Sequence, residues 1–282
     1  MSRVARDELA ARIEALAAAG DDLDRAAARE AVEELLAGLE DGSIRAAEPD
    51  GDGWRVHPWV KTGILLGFRV AEVVDLPSAG PLGFRDKDLF PPRLLDGMPG
   101  VRLVPGGSAV RRGAYLAPGT VLMPPCYVNV GARVDEGTMI DSHALVGSCA
   151  QVGRGVHVSA GAQVGGVLEP PGALPVIVED GAFLGGLVAV LEGVRVRRGA
   201  VLAAGVVLTR STPVYDLVRE RVIRAGEDGI LEIPENAVVV PGVRAVGSSF
   251  AREHGLSAAC ALIVKDRDEG TSARASLEEA LR

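Results

Sequence analysis

The sequence predicts a mainly β protein built around a parallel β-helix, with a helical domain before it and a small segment after it. Every sixth residue is aliphatic over one long run and again after an interruption: Val104, Val110, Leu116, Leu122, Val128, Val134, Ile140, Val146, Val152, Val158 and Val164, then Val178, Leu184, Val190, Val196, Leu202 and Leu208. The composition agrees, because 36 glycines and only 4% aromatic residues suit a core of many small, regular layers. Repeats of period six stack into a parallel β-helix whose coils hydrogen-bond to one another.

Small residues stand two positions before most of these aliphatic residues, which supports the register. They are Ser108, Ala114, Thr120, Cys126, Ala132, Thr138, Ala144, Ala150 and Ala162. Because side chains alternate across a strand, a large and a small inward residue then share each short strand and fill a narrow coil. Glycines are expected at the corners, where a left-handed backbone is needed: Gly131, Gly137, Gly147, Gly153, Gly161, Gly181, Gly193 and Gly199. A β-sandwich is the alternative fold.

The elements divide the chain into three expected parts. Residues 1–100 form an N-terminal helical domain, residues 101–242 the β-helix, and residues 243–282 a C-terminal segment. An external loop at 168–175, rich in proline and glycine, and a charged insertion at 210–229 interrupt the coil.

Helices and strands outside the repeat follow from local patterns of apolar residues. Helices are predicted near Ala5–Ala18, over Arg25–Leu39, over Pro58–Arg69 and near Ser276–Arg282. A further partial coil should pass through Ile233 and Val239, and a strand should cover Ala258–Lys265.

Charge and cysteine usage exclude several classes of function. The net charge of −8 argues against a nucleic acid or an anionic membrane as partner. The apolar runs are far shorter than the roughly 18 residues that a membrane span needs, and the acidic, amphipathic beginning does not resemble a signal peptide, so we expect a cytoplasmic protein. Three cysteines without CxxC spacing favour neither a disulfide framework nor a zinc site, and no metal ligands are predicted.

Several sequence blocks carry a more specific signal than the repeat. They are residues 54–70 (WRVHPWVKTGILLGFRV), 111–115 (RRGAY), 127–132 (YVNVGA), 134–153 (VDEGTMIDSHALVGSCAQVG), 165–170 (GGVLEP), 211–212 (ST), 215–216 (YD) and 260–265 (CALIVK). Over about residues 25–265 the chain resembles the tetrahydrodipicolinate N-succinyltransferase family. A hexapeptide repeat alone would be weak support, since many transferases share it, but GSCAQ and GGVLEP in the right coils are specific.

The resemblance implies a left-handed coil and an acyl-CoA-dependent N-acyltransferase of lysine and diaminopimelate biosynthesis. Succinyl-CoA, or another acyl-CoA, would be the co-substrate, and no cofactor would be permanently bound. The acceptor would be an amino-dicarboxylate, above all tetrahydrodipicolinate. The resemblance also implies a homotrimer, with the active sites in the grooves between neighbouring β-helices.

The resemblance also implies site residues. Arg102 would bind a substrate carboxylate through its planar guanidinium. Asp141 would be both the catalytic residue and a substrate-binding residue, because it follows inward Ile140 and should face outward to take a proton from the acceptor amine. His143 would contact the substrate, and Gly166, Ala204 and Gly205 would bind the CoA co-substrate.

Each of these roles has a competing interpretation. Arg102 could be a surface arginine, and Asp141 a solvated corner carboxylate. His143 stands where the family has tryptophan, so it is either a general base or a flat ring that packs against the neighbouring subunit. A metal-binding relative on the same coil would need three clustered histidines, but only His143 and His157 lie in the repeat.

The chain departs from the family pattern beside the predicted site. Asp141-Ser142-His143 stands for the family's Asp-Thr-Trp, and residues 185–189 (GGLVA) stand for Gly-Ala-Arg-Ser-Glu. Ala189 therefore replaces the second active-site carboxylate, and the segment 210–255 also differs. Aliphatic surface holds a second carboxylate poorly. The alternatives are a divergent paralogue that uses another acyl-CoA, such as acetyl-CoA, or another acceptor, and a non-catalytic CoA-binding relative.

Overall fold

The computed structural model describes residues 1–77 and 83–271, and it places three helices at the N-terminal end. They are α1 (Arg3–Ala18), α2 (Arg25–Glu40) and α3 (Pro58–Val70), which confirms the three predicted helices. Side chains of Ser2 and Asp24 cap the first two helices, and Pro58 starts the third, where its missing N–H costs nothing. The helix predicted near Ser276–Arg282 lies outside the described residues.

The three helices pack closely and share a core with the coil. A β-carbon on Gly63 would lie 2.4 Å from Leu35 Cδ2, and one on Gly67 would lie 2.7 Å from Phe90 Cζ, so α3 approaches its neighbours only because both positions are glycine. Val130 and Cys149 from the coil belong to the same buried cluster as the helices. The helical domain is therefore docked on the β-helix.

Two hairpins accompany the helices, and the sequence patterns did not predict either. One pairs β1 (Ala47–Asp50) with β2 (Gly53–Val56), and the other pairs β3 (Val73–Leu76) with β4 (Phe84–Lys87). The β1–β2 hairpin lies against the coil, since Trp54 Nε1 donates a hydrogen bond to Glu179 Oε1 at 3.1 Å.

The coil is built from very short strands. In chain order they are β5 (Arg102–Leu103), β6 (Ala109–Val110), β7 (Tyr115–Leu116), β8 (Val121–Leu122), β9 (Tyr127–Val128), β10 (Arg133–Val134), β11 (Met139–Ile140), β12 (Leu145–Val146), β13 (Gln151–Val152), β14 (His157–Val158), β15 (Gln163–Val164), β16 (Ile177–Val178), β17 (Phe183–Leu184), β18 (Ala189–Val190), β19 (Val194–Val196), β20 (Val201–Leu202) and β21 (Val207–Leu208). The segments that complete the architecture are β22 (Val214–Asp216), β23 (Arg221–Ile223), β24 (Leu231–Ile233), β25 (Ala237–Ala245), α4 (Ser249–Glu253) and β26 (Ser257–Asp266).

These strands stack into three parallel sheets that form the faces of a left-handed β-helix. Face 1 contains β7, β10, β13, β16, β19 and β24; face 2 runs from β5 through β8, β11, β14, β17 and β20 to β25; face 3 contains β6, β9, β12, β15, β18 and β21. The second residue of nearly every strand is fully buried, and the small column beside it is buried too. The predicted mainly β fold is therefore confirmed.

The predicted inward column is wrong at its first member. Leu103 pairs with inward Leu122, so Leu103 and not Val104 occupies the inward position of the first strand. The first hexad carries one extra residue before Val110, and it is accommodated by Gly106 and Gly107, whose φ angles are 146° and 93°.

Most of the corner glycines have the predicted left-handed backbone, but two do not. Gly131, Gly137, Gly161, Gly181, Gly193 and Gly199 have positive φ, whereas Gly147 and Gly153 do not. A β-carbon on Gly147 would lie 2.2 Å from the backbone of Gly166, and one on Gly153 would lie 2.4 Å from Asp180 Oδ1. Glycine is needed at these two positions for close approach between coils and not for its conformational freedom.

The C-terminal part extends face 2 beyond the coil. Strand β26 pairs with β25 and with β22, and β22 and β23 form a hairpin within the charged insertion. The predicted partial coil through Ile233 and Val239 and the predicted terminal strand are confirmed as β24, β25 and β26. Strand β25 continues across residue 242, where the sequence predicted the boundary between the β-helix and the C-terminal segment. Within the described part of the chain, no helix is both long and apolar enough to cross a membrane.

Candidate active site

The turns between faces 2 and 3 stack into one continuous edge, which we call the 2–3 corner (residues 123–126, 141–144, 159–162, 185–188 and 203–206). Each turn hydrogen-bonds to the next: His143 N–H donates to the Pro125 carbonyl at 2.6 Å, Gly161 to Ser142 at 2.8 Å, Leu187 to Ala160 at 3.0 Å, and Gly205 to Gly186 at 3.0 Å. Most of the predicted site residues lie along this edge.

Asp141 begins the second of these turns with an oriented carboxylate. Its neighbour Ile140 is fully buried in the coil, so alternation places the Asp141 side chain on the outside. Its backbone N–H donates to the Val158 carbonyl at 2.9 Å, and its Oδ1 accepts the N–H of Ser142 at 2.7 Å. Its Oδ2 bonds to no described residue, so one oxygen is fixed and the other can contact a ligand.

His143 and Leu187 project from left-handed positions on the same edge. Their φ angles are 62° and 60°, which is unusual for residues with a side chain. His143 is exposed, as predicted, and Leu187 is 74% exposed. The Leu187 side chain lies over Gly161, where a β-carbon would come 2.8 Å from Leu187 Cδ2. Leu187 therefore places apolar surface between its own turn and that of His143.

Arg102 lies near this corner, but not in it. It is exposed on β5 at the start of face 2, and β5 is separated from the strand that precedes Asp141 by β8. Since neighbouring strands are ~4.8 Å apart, Arg102 lies about 10 Å along the coil axis from the Asp141 turn.

The three predicted CoA-contacting residues do not lie together in one chain. Ala204 and Gly205 are exposed on the 2–3 corner, three coils or roughly 14 Å from Asp141. Gly166 instead lies on the corner between faces 3 and 1, where it lines a groove of about 770 Å³. The external loop forms one wall of this groove, and Arg210 and Gly229 of the insertion contribute to the other.

Face 3 carries an apolar patch next to the 2–3 corner, formed by Leu187, Ala189 and Val207. Ala189 is the outward residue of β18 and pairs with Gln163 and Val207. Val207 is 53% exposed. Val207 carries no motif in the sequence, although its place just before inward Leu208 predicts that it faces outward.

A buried lysine connects the helical domain to the external loop. Lys61 of α3 is fully buried, its amine donates a hydrogen bond to the Ala173 carbonyl, and burial lowers its pKa. The neighbouring Cys149 is also fully buried, and burial raises the pKa of its thiol to about 12, which disfavours the thiolate that a nucleophile requires. The sequence pattern that could have indicated a buried Lys61 is its position among the apolar residues of a predicted helix.

Replacing Leu187 with glycine is expected to raise the free energy of unfolding by about 0.5–1 kcal/mol. A residue with a side chain loses about 1–2 kcal/mol in the left-handed conformation, and glycine does not. The loss of backbone entropy that glycine brings on folding is smaller. Little burial is lost from a side chain that is 74% exposed. Urea unfolding measures the change. Leu217→Gly is the matched control, since Leu217 is exposed without a positive φ and its replacement should destabilise. Equal losses in both variants would contradict the expectation.

Stacked hexad coils with an oriented carboxylate on an exposed corner define a hexapeptide-repeat transferase. Residues 175–210 match the family described as Hexapeptide repeat of succinyl-transferase, and residues 8–70 match Tetrahydrodipicolinate N-succinyltransferase N-terminal. The chain belongs to the tetrahydrodipicolinate N-succinyltransferase family, because relatives with that activity in their names match it over nearly its whole length.

Two of these relatives are named 2,3,4,5-tetrahydropyridine-2,6-dicarboxylate N-succinyltransferase. The protein of Bradyrhizobium diazoefficiens is 46% identical over 264 residues, which cover 90% of this chain and 90% of the relative. That of Ruegeria pomeroyi is 44% identical over 289 residues, which cover 99% of this chain and 100% of the relative. A solved structure from Campylobacter jejuni, described as a 2,3,4,5-tetrahydropyridine-2-carboxylate N-succinyltransferase, is 16% identical and covers 83% of this chain and 62% of its own, with a TM-score of 0.42.

Proposed function

We propose that the protein transfers the succinyl group of succinyl-CoA to the amine of ring-opened tetrahydropyridine-2,6-dicarboxylate, a step of lysine and diaminopimelate biosynthesis. Similarity over the whole chain to relatives named for this reaction supports the proposal. The structural observation that carries it is the Asp141 carboxylate, which is fixed by the Ser142 N–H and presented on the exposed 2–3 corner.

The proposed reaction is an acyl transfer without a covalent enzyme intermediate. The acceptor nitrogen attacks the thioester carbonyl, a C–N bond forms, and the C–S bond breaks. Asp141 accepts the proton that the amine loses, and this proton then neutralises the departing thiolate. Holding both substrates in place supplies much of the rate, and backbone N–H groups would polarise the thioester carbonyl.

Arg102 would bind a carboxylate of the acceptor, and His143 would border the same groove. Ala204 and Gly205 on one corner and Gly166 on another would contact the CoA thioester. Because these residues lie on different corners of one coil, we place the complete site between neighbouring chains of a homotrimer.

A second candidate function is transfer of a less polar acyl group, such as acetyl. The apolar patch favours it, because Leu187 and Val207 are exposed on either side of Ala189, where a carboxylate of the substrate would find no partner. An unpaired carboxylate held against aliphatic surface is costly.

Thiol release from succinyl-CoA and from acetyl-CoA, with tetrahydropyridine-2,6-dicarboxylate or 2-aminopimelate as acceptor, tests both candidates. We expect turnover with succinyl-CoA to exceed that with acetyl-CoA. A preference for acetyl-CoA would favour the second candidate, and no release with any pair would indicate a non-catalytic CoA-binding protein.

Replacing Ala189 with glutamate separates the two candidates further. If the apolar patch sets the preference, Ala189→Glu should shift the ratio of kcat/KM between the two acyl-CoA substrates, whereas the neutral Ala189→Gln should shift it less. An unchanged ratio in both variants would remove the patch as a determinant of specificity.

A further inference from the structure

A second cavity lies on the opposite side of the coil from the 2–3 corner. It occupies about 220 Å³ between the β1–β2 hairpin and face 1, and we call it the hairpin pocket. Pro49 and Trp54 line it from the hairpin, and Gln151 and Val152 line it from face 1. Face 1 does not meet the 2–3 corner, and the hairpin pocket shares no lining residue with the groove at Gly166, so the pocket is separate from both.

A network of ion pairs fixes the walls of the hairpin pocket. Arg195 is 8% exposed, and its guanidinium donates to Glu179 Oε1 at 2.6 Å, to Glu232 Oε2 at 3.0 Å and to the Asp52 carbonyl at 2.7 Å. Trp54 donates to the same Glu179 oxygen at 3.1 Å. The hairpin is thereby held on face 1 by charge-assisted bonds, and the cavity is formed before any ligand enters.

A cation in this pocket makes no direct hydrogen bond or ion pair with any described residue. Arg45 is partly buried and lines the cavity, yet within residues 1–77 and 83–271 it makes no hydrogen bond or ion pair. Burial and the nearby Arg133 lower its pKa, and the opposing attraction of the carboxylates of Asp135 and Glu48 does not offset them. The Arg133 charge is already paired with Asp135 at 2.9 Å.

An acceptor in this pocket also lacks a partner. Gln151 is 2% exposed, and its Nε2 donates to the carbonyls of Cys149 and Ala150 at 3.0 and 3.3 Å. These bonds fix the orientation of the amide, and its Oε1 is left with no hydrogen bond among the described residues. A buried acceptor without a donor is costly, so a ligand that supplies a donor would be favoured.

We propose that the hairpin pocket binds a small zwitterion, namely a free α-amino acid. Its carboxylate pairs with Arg45, its ammonium donates to Gln151 Oε1, and its side chain lies against Trp54. A simple anion would leave the glutamine oxygen without a donor, and a simple cation would leave Arg45 without a directly bonded anion. Because the pocket lies between the helical domain and the coil, the bound amino acid bridges the two and strengthens their docking.

Thermal unfolding of the full chain, without CoA, in the presence of each of the twenty L-amino acids at millimolar concentration tests this proposal. We expect at least one of them to raise Tm, because a ligand that binds only the folded state stabilises it. Calorimetric titration then gives its Kd. The N-acetylated and carboxamide forms of that amino acid should bind at least tenfold more weakly, because each lacks one of the two charges. No shift with any amino acid, or equal binding of the blocked forms, would overturn the proposal.

Three variants locate the bound amino acid. Arg45→Met should weaken binding about tenfold or more, whereas Arg154→Met, an exposed arginine outside the pocket, should not. Asp141→Asn should also leave the Kd unchanged, since it alters the candidate active site only. Binding that survives Arg45→Met, or that is lost in Asp141→Asn, would place the amino acid elsewhere.

Discussion

Asn at position 141 is expected to lower kcat by about 10²–10⁴-fold, with little change in the KM for the acyl-CoA. Asp141→Asn keeps the shape of the side chain, and its carbonyl oxygen can still accept the Ser142 N–H that fixes the turn. It cannot accept a proton from the attacking amine. Steady-state thiol release with saturating acceptor measures the loss.

A carboxylate on another corner of the same coil provides the control. Glu136 is exposed and has only a 4.0 Å contact with Arg154, so Glu136→Gln should retain kcat within about twofold. If Asp141→Asn retained a similar share of activity, the carboxylate would have a binding role, and another group or water would take the proton.

The second large effect is expected on stability. Arg195→Met should lower the free energy of unfolding by about 3–5 kcal/mol, because it leaves charged groups partly buried without their partner. The side chain of Glu179 is 14% exposed and loses its closest cation, and the Asp52 carbonyl loses a donor. Denaturant unfolding at neutral pH measures the change. Arg198→Met, which removes an exposed guanidinium nearby, should stay within about 0.5 kcal/mol of wild type.

The loss in Arg195→Met should depend on pH with a defined sign. Burial raises the pKa of Glu179, but hydrogen bonds from Trp54 and Arg195 outweigh it and hold the pKa below its usual value. The stability that ionised Glu179 contributes is therefore present above the unfolded pKa of about 4.3 and is lost as pH falls through the folded value. Without Arg195, burial dominates and favours protonation, so the difference between variant and wild type should shrink toward pH 4. A constant difference would exclude Glu179 as its source.

The coil could be predicted because its geometry repeats in the sequence. Each inward position must hold an aliphatic side chain of similar size, so the period runs from Val110 to Val164 and again from Val178 to Leu208. The β1–β2 hairpin has no such period. It is held by contacts between residues far apart in sequence, such as Trp54 with Glu179 and Arg195 with Asp52. Local sequence patterns do not predict such long-range contacts.

The candidate site was predictable to the extent that it follows the same period. Asp141 and His143 share one turn at the surface. This was expected because inward Ile140 ends the strand just before them. Gly166 lies in the turn that follows the 159–162 turn by six residues, which is the corner between faces 3 and 1. The period of six therefore already places Gly166 on a different corner from Ala204 and Gly205. Arg45 and Gln151 were missed because their importance depends on the pocket that both line and on the unbonded Gln151 Oε1, which only the packed structure shows.

Both interruptions of the coil occur at the same corner. The external loop leaves between β15 on face 3 and β16 on face 1, and the insertion leaves between β21 on face 3 and β24 on face 1. Each coil contacts only its neighbours, so these segments can lengthen or exchange without disturbing the inward column. The protein thus separates a repeating scaffold geometry from two adjustable walls around the groove at Gly166. Evolution or design could change what that groove admits by exchanging one wall, while the hexad register is inherited intact.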